Sequence, residues 1–98
     1  MIINSTNDEE TLTISLQGIF DYAAAAEFKE YTQGGYKGVW ELVFDLSELD
    51  YISSAGMRVL LESELIMKKR GGMKLVNVNE EVMGVIKMAG FDRFLNIV

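Results

Sequence analysis

The chain has 98 residues, 49% of them apolar, and a mass of 11.0 kDa, which suits one packed core and leaves no room for two. Nine basic against fifteen acidic residues give a net charge of −6, which disfavours a phosphate backbone as a partner. Cysteine and histidine are both absent, which excludes disulfides, thiolate nucleophiles, thiolate or imidazole zinc sites and a Ser-His relay.

Apolar runs fall short of a membrane span, and no charged-then-apolar leader opens the chain, so a soluble, cytoplasmic protein is expected. The charge is uneven. Residues 1–53 carry ten acidic and two basic side chains, net −8, while residues 54–98 carry five acidic and seven basic, net +2. That split reads as an ordinary solvated surface or, more sharply, as an acidic face offered to a basic partner.

Residues 1–6 open with Ile2-Ile3, and Asn7-Asp8-Glu9-Glu10 reads as a turn. Residues 11–16 alternate, with Leu12, Ile14 and Leu16 apolar. They predict a half-buried strand that pairs with the first as a hairpin and stops at Gly18. Asp21 is a natural N-cap for a helix rich in alanine from Ala23 onward. Ala24, Ala25, Phe28 and Tyr31 share one helical face, and Gln33-Gly34-Gly35 stops it. Residues 39–46 are nearly continuous in apolar side chains, as suits a central strand flanked on both sides and buried on both faces. A loop is expected over 47–53. From Ser54 the spacing turns helical through Val59, Leu60 and Met67, with a favourable Glu64 to Lys68 ion pair. Lys68-Lys69-Arg70 suit the negative end of that helix, and Gly71-Gly72 ends it. Residues 74–78 predict a short strand. Asn79 caps a last helix with Glu80 and Glu81 in its first turn, Val82, Val85, Ile86 and Ala89 inward, and Gly90 as its stop. Residues 94–98 predict an edge strand. The order β-β-α-β-α-β-α-β places the chain in the α/β class. It is one small domain over residues 1–98, with a mixed β-sheet and helices packed mainly on one face.

Candidate chemistry concentrates in residues 45–56. A helix begins there at the paired serines Ser53 and Ser54, at the exit of a sheet. A hydroxyl so placed meets unpaired N–H groups and the positive end of the helix dipole, so an added phosphate is tolerated by its own helix. That phosphate adds about −1.5 to −2 charge to the surface. The same serines are preferred N-cap residues, and capping alone accounts for them. Gly56 in the first turn predicts close approach by another backbone or by a partner. Asp21, Asp45 and Asp50 read as a cap, a strand end and a loop charge. Without histidine there is no ready general base of near-neutral pKa, and no Gly-rich phosphate loop is present. The chain therefore reads as a non-enzyme, with no cofactor and no metal. Met67, Met73, Met83 and Met88 read as core filler, and Met57, beside Ser54, as filler or as a residue shown to a partner. Trp40 and Tyr51 are expected to pack, with Tyr51 free to flank the serine surface instead.

Val43-Phe44-Asp45-Leu46, Tyr51-Ile52 and Ser53-Ser54-Ala55-Gly56 together resemble the signature of anti-sigma factor antagonists, the founding members of the STAS domain family. Gly18-Ile19-Phe20-Asp21, Gly71-Gly72 and Met88-Ala89-Gly90-Phe91 resemble further family positions, so the resemblance spans essentially the whole chain. It implies a STAS-like fold and a protein-binding switch. Such an antagonist sequesters an anti-sigma serine kinase while unphosphorylated and releases it on serine phosphorylation, which controls sigma-factor-dependent transcription. Carried over by position, the acceptor is Ser54, with Ser53 as its competitor in the place of the family's Asp. The implied partner surface comprises Asp21, Ser53, Ser54, Gly56 and Met57. The implied partners are the kinase and a phosphoserine phosphatase, with no direct nucleic acid and no membrane. The exchange of Asp for Ser53 keeps a second reading open: an adaptor STAS subunit of a transport or signalling assembly that is never phosphorylated.

Overall fold

The computed structural model describes residues 1–33 and 35–98. Strands β1 (Ile2–Asp8), β2 (Thr11–Phe20), β3 (Glu41–Ile52) and β4 (Met73–Val76) form one sheet in the order β1-β2-β3-β4. The β1/β2 pair is antiparallel, and β2/β3 and β3/β4 are parallel, so the sheet is mixed as expected. Helices α1 (Tyr22–Thr32), α2 (Ser54–Met67) and α3 (Glu80–Met88) complete the domain, followed by a 3-10 turn at Phe91–Arg93.

The register explains why one face of the sheet carries the core. Ile14, Phe44 and Leu75 lie side by side across β2, β3 and β4 and are all fully buried. They share one cluster with Phe28 of α1, Leu60 of α2, and Val82 and Ile86 of α3. The Phe28 ring sits 5.9 Å from Phe20 and 5.8 Å from Phe44, which seats α1 on the sheet. The next row, Ser15, Asp45 and Val76, points the other way, and none of the three is buried. The central strand is thus flanked on both edges, but only one of its faces is packed by helices. Val43 is nearly covered yet stands outside the main cluster.

Several expected boundaries move. The hairpin turn is confined to Glu9-Glu10, with Glu9 at φ 57, so Asn7 and Asp8 pair within β1. Gly18, at φ 103, does not end β2. It sits beside a register shift, and the strand runs on to Phe20. The loop expected over 47–53 is strand as far as Ile52. Two register shifts against β2 each insert one extra residue into β3, so Leu46, Leu49 and Ile52 are fully buried at intervals of three. A bulge resets which face the next side chain takes, and the resulting spacing hides a strand from a search for alternation. β4 stops at Val76, ahead of Asn77 at φ 55.

Helix α1 begins at its Asp21 cap and ends with Gln33 in the left-handed region at φ 53. Gly34, also expected at this stop, lies outside the described residues. Tyr31, placed on the buried face by spacing, is half exposed, and its hydroxyl bonds with Ser5 of β1. Asn79 caps α3 as expected, while Ala89 and Met88 are exposed past the last buried residue, Ile86. The edge strand expected over 94–98 shrinks to a bridge between Leu75 and Ile97. Phe94 and Leu95 spend their N–H groups on the Phe91 carbonyl, which leaves only the last residues to lie along β4.

The helix-closing charges do different work from that expected. Arg70 donates from Nη1 to the Tyr36 carbonyl at 2.6 Å and to the Val39 carbonyl at 3.0 Å, pinning the segment between α1 and β3. Lys68 and Glu64 do not close an ion pair. Glu64 turns one carboxylate oxygen inward, buried without a partner among the described residues, and burial pushes its carboxyl above the usual value despite the attraction of Lys68. Trp40 is half exposed, although its indole covers Gly71 so closely that a Cβ there would lie 2.5 Å from it.

Candidate functional site

The two helix starts that matter meet at one end of the sheet. Phe20 and Ile52 are register partners at the exits of β2 and β3, so Asp21 and Ser53 emerge side by side. Asp21 caps α1 by accepting the Ala24 N–H at 2.9 Å. Ser53 is the N-cap of α2, a position in which the side chain satisfies an otherwise unpaired helix donor. Its Oγ accepts the Gly56 N–H at 3.2 Å and donates to the Phe20 carbonyl at 2.8 Å. Its backbone N–H donates to the same carbonyl at 2.9 Å. Ser53 therefore ties the start of α2 to the end of β2. An Asp at this position could cap but could not donate to that carbonyl.

Ser54 is the first residue of α2 and is exposed. With capping taken by Ser53, Ser54 lines a groove of about 460 Å³ between α1 and α2. Tyr22, Ala25, Ala26, Lys29, Ala55 and Arg58 form the rest of its lining. Tyr22 is 82% exposed, and Ile19 and Tyr51, register partners on β2 and β3, are each about half exposed at the same end of the sheet. Exposed apolar side chains at one end of a sheet are ordinary components of a protein-binding patch, and Tyr22 is the one that lines the Ser54 groove.

Two expected surface residues belong to the interior. Met57 is buried at 6% exposure, packed into the core one turn into α2. Gly56 is buried against β2. A Cβ there would stand 2.7 Å from the Phe20 carbonyl oxygen and 2.9 Å from the Phe20 ring. The close approach read from this glycine comes from the chain's own backbone. Of the five residues expected on a partner surface, Asp21, Ser53 and Ser54 lie at the same end of the sheet, and Gly56 and Met57 are buried beneath it.

Charge is also distributed differently from the expectation. The net −8 of residues 1–53 does not converge on Ser54, because the charged side chains of its groove are Lys29 and Arg58. Lys29 Nζ lies 3.6 Å from Glu62 Oε1, with both side chains about half exposed. Sequence reasoning passed over Tyr22, Lys29 and Arg58. Their signals were present: Tyr22 falls off the Ala24-Ala25-Phe28 face, and Arg58 follows Ser54 by four residues, one helical turn.

The remaining carboxylates stay apart. Asp45 lies on the far face of the sheet. Burial works to raise its pKa, but bonds from the Ser47 backbone N–H and side chain and from Asn77 outweigh it and hold the carboxyl below its usual range. Asp50 lies near Asn79, Glu80 and Glu81 at the start of α3. Among the described residues, no three carboxylates group in a way that could hold a metal ion, and no helix is long and apolar enough to cross a membrane.

Comparison with known proteins agrees with this architecture. The STAS domain family matches residues 3–98. BtrV of Bordetella bronchiseptica, which carries the name of an anti-sigma factor antagonist, is 37% identical over 82 residues, covering 82% of this chain and 71% of BtrV. A STAS-domain containing protein of Pseudomonas aeruginosa is 28% identical over 94 residues, covering 92% of this chain and 90% of its own. The Bacillus anti-sigma factor antagonist SpoIIAA superposes in its unphosphorylated form with a TM-score of 0.81 at 18% identity, over 99% of this chain and 88% of that one, which is a likeness of fold. The chain belongs to the STAS domain family, among relatives named anti-sigma factor antagonists.

Proposed function

We propose that this protein is an anti-sigma factor antagonist that binds an anti-sigma serine kinase through the end of the sheet where α1 and α2 begin, and that phosphorylation of Ser54 releases the kinase. The observation that carries this reading is the division of labour between the two serines. Ser53 is engaged as cap and tie, while Ser54 stands exposed in a groove flanked by Tyr22. A phosphate on Ser54 leaves the cap of α2 intact, so release needs little change of shape. A partner docked on a neutral serine must then accommodate and desolvate a bulky charged group, at a cost of about 2–5 kcal/mol, or roughly thirty- to several-thousand-fold in affinity. A phosphatase restores the binding form.

Calorimetry with the cognate kinase tests the reading on two variants. Ser54→Ala should bind and resist release by ATP, and Ser54→Asp should fold yet bind at least tenfold more weakly. Mass spectrometry of the ATP-treated mixture should place the phosphate on Ser54. A kinase that binds Ser54→Asp as tightly as wild type would replace the switch with the adaptor reading, which the serine at position 53 in place of the family's Asp favours.

A further inference from the structure

We propose that Arg58 and Lys29 form an internal clamp for a phosphoryl group on Ser54, with Lys29 leaving Glu62 to join it. The inference rests on Ser54 as the acceptor and adds how the modified state is held. Ser54 and Arg58 are four residues apart on α2, on the same face, at a spacing that brings side chains about 5–6 Å apart at Cβ. Both line one groove with Lys29, which reaches in from α1. Among the described residues, Arg58 has no carboxylate within 4.0 Å, so its guanidinium is available to take two phosphoryl oxygens in a fork. Lys29 is held only by a half-exposed pair with Glu62 at 3.6 Å, and pairs of that kind contribute little. A phosphoserine with about −1.5 to −2 charge outcompetes a single carboxylate for that ammonium.

The clamp changes what phosphorylation does to the surface. Besides adding negative charge, it withdraws two cations that an acidic partner could otherwise engage. The phosphoryl group is drawn toward the groove between α1 and α2, over Ala25, Ala26 and Ala55, where a partner side chain would sit beside Tyr22.

The test installs phosphoserine at position 54 during translation, so that no kinase is needed, and follows the phosphate by phosphorus NMR across pH. In the wild-type chain the second phosphate pKa should fall about half a unit or more below its value in the Lys29→Gln/Arg58→Gln double variant. Glu62→Gln should lower it further, because Lys29 is then released from its competitor. Circular dichroism of each variant checks the fold. Coincident titration curves for wild type and the double variant would overturn the clamp while leaving the kinase switch intact. An unchanged curve in Glu62→Gln would overturn the exchange by Lys29. Failure of the kinase to modify Ser54 would instead remove the switch, and the NMR result would still stand.

Discussion

Gly56→Ala is the sharpest test of how the site is built. The added Cβ would lie 2.7 Å from the Phe20 carbonyl oxygen, 2.9 Å from the Phe20 ring and 3.0 Å from an Ile52 side-chain carbon. The first neighbour is backbone, held by the Ser53 N–H at 2.9 Å and the Ser53 Oγ at 2.8 Å, so it cannot give way alone. Overpacking of one methyl group costs about 1–3 kcal/mol. Alanine in place of glycine returns up to about 1 kcal/mol through helix propensity. The net expectation is a loss of about 1–2 kcal/mol, which for a domain of this size lowers Tm by about 5–15 °C. Urea unfolding followed by circular dichroism measures it, with an unchanged m-value confirming that the loss is in the native state. A variant as stable as wild type would refute the reasoning. It would mean that the corner joining β2 to α2 is free to shift, and that the position of Ser54 against Tyr22 does not depend on this contact.

Three further outcomes are expected. Ser53→Ala should lose about 1 kcal/mol in thermal or urea unfolding through the missing cap, and Ser53→Asp should lose less because it keeps the acceptor for Gly56. Tyr36→Phe should lose about 1 kcal/mol: Ser63 gives its proton to the Val59 carbonyl at 2.8 Å, so the Tyr36 hydroxyl is the donor of their 2.6 Å bond. Burial pushes Tyr36 up to about 12 from 10.0, so the folded state keeps a proton that the unfolded chain releases. Stability should therefore fall as pH rises from about 10 toward 12, and Tyr36→Phe should flatten that fall in pH-resolved unfolding curves. Glu64→Gln should raise Tm at pH 7. The raised carboxyl of Glu64 means the folded state binds its proton more tightly than the unfolded one, so the ionised form opposes folding. The gain should fade as pH drops below the ordinary glutamate range, and a Tm gain equal at pH 7 and pH 3 would contradict it.

The three helices and their caps were legible from local spacing. Asp21 and Asn79 each bond to the N–H three residues on, and this is written in a few adjacent residues. The family signature around Ser54 was legible for the same reason. What the sequence could not disclose depends on partners far along the chain. The bulges of β3 exist only in register against β2, so Leu49 and Ile52, beyond the strand legible as far as Leu46, read as loop until a second strand fixes their faces. Gly56 and Met57 sit in the same short motif as Ser54, yet the end of β2 packs on the first and the core encloses the second. Lys29 and Arg58 are 29 residues apart in sequence, and only the packing of α1 against α2 puts them in one groove with Ser54. Local hydrogen bonds and side-chain periodicity act over a single turn. Burial and charge environment are set by whichever segment the fold brings alongside.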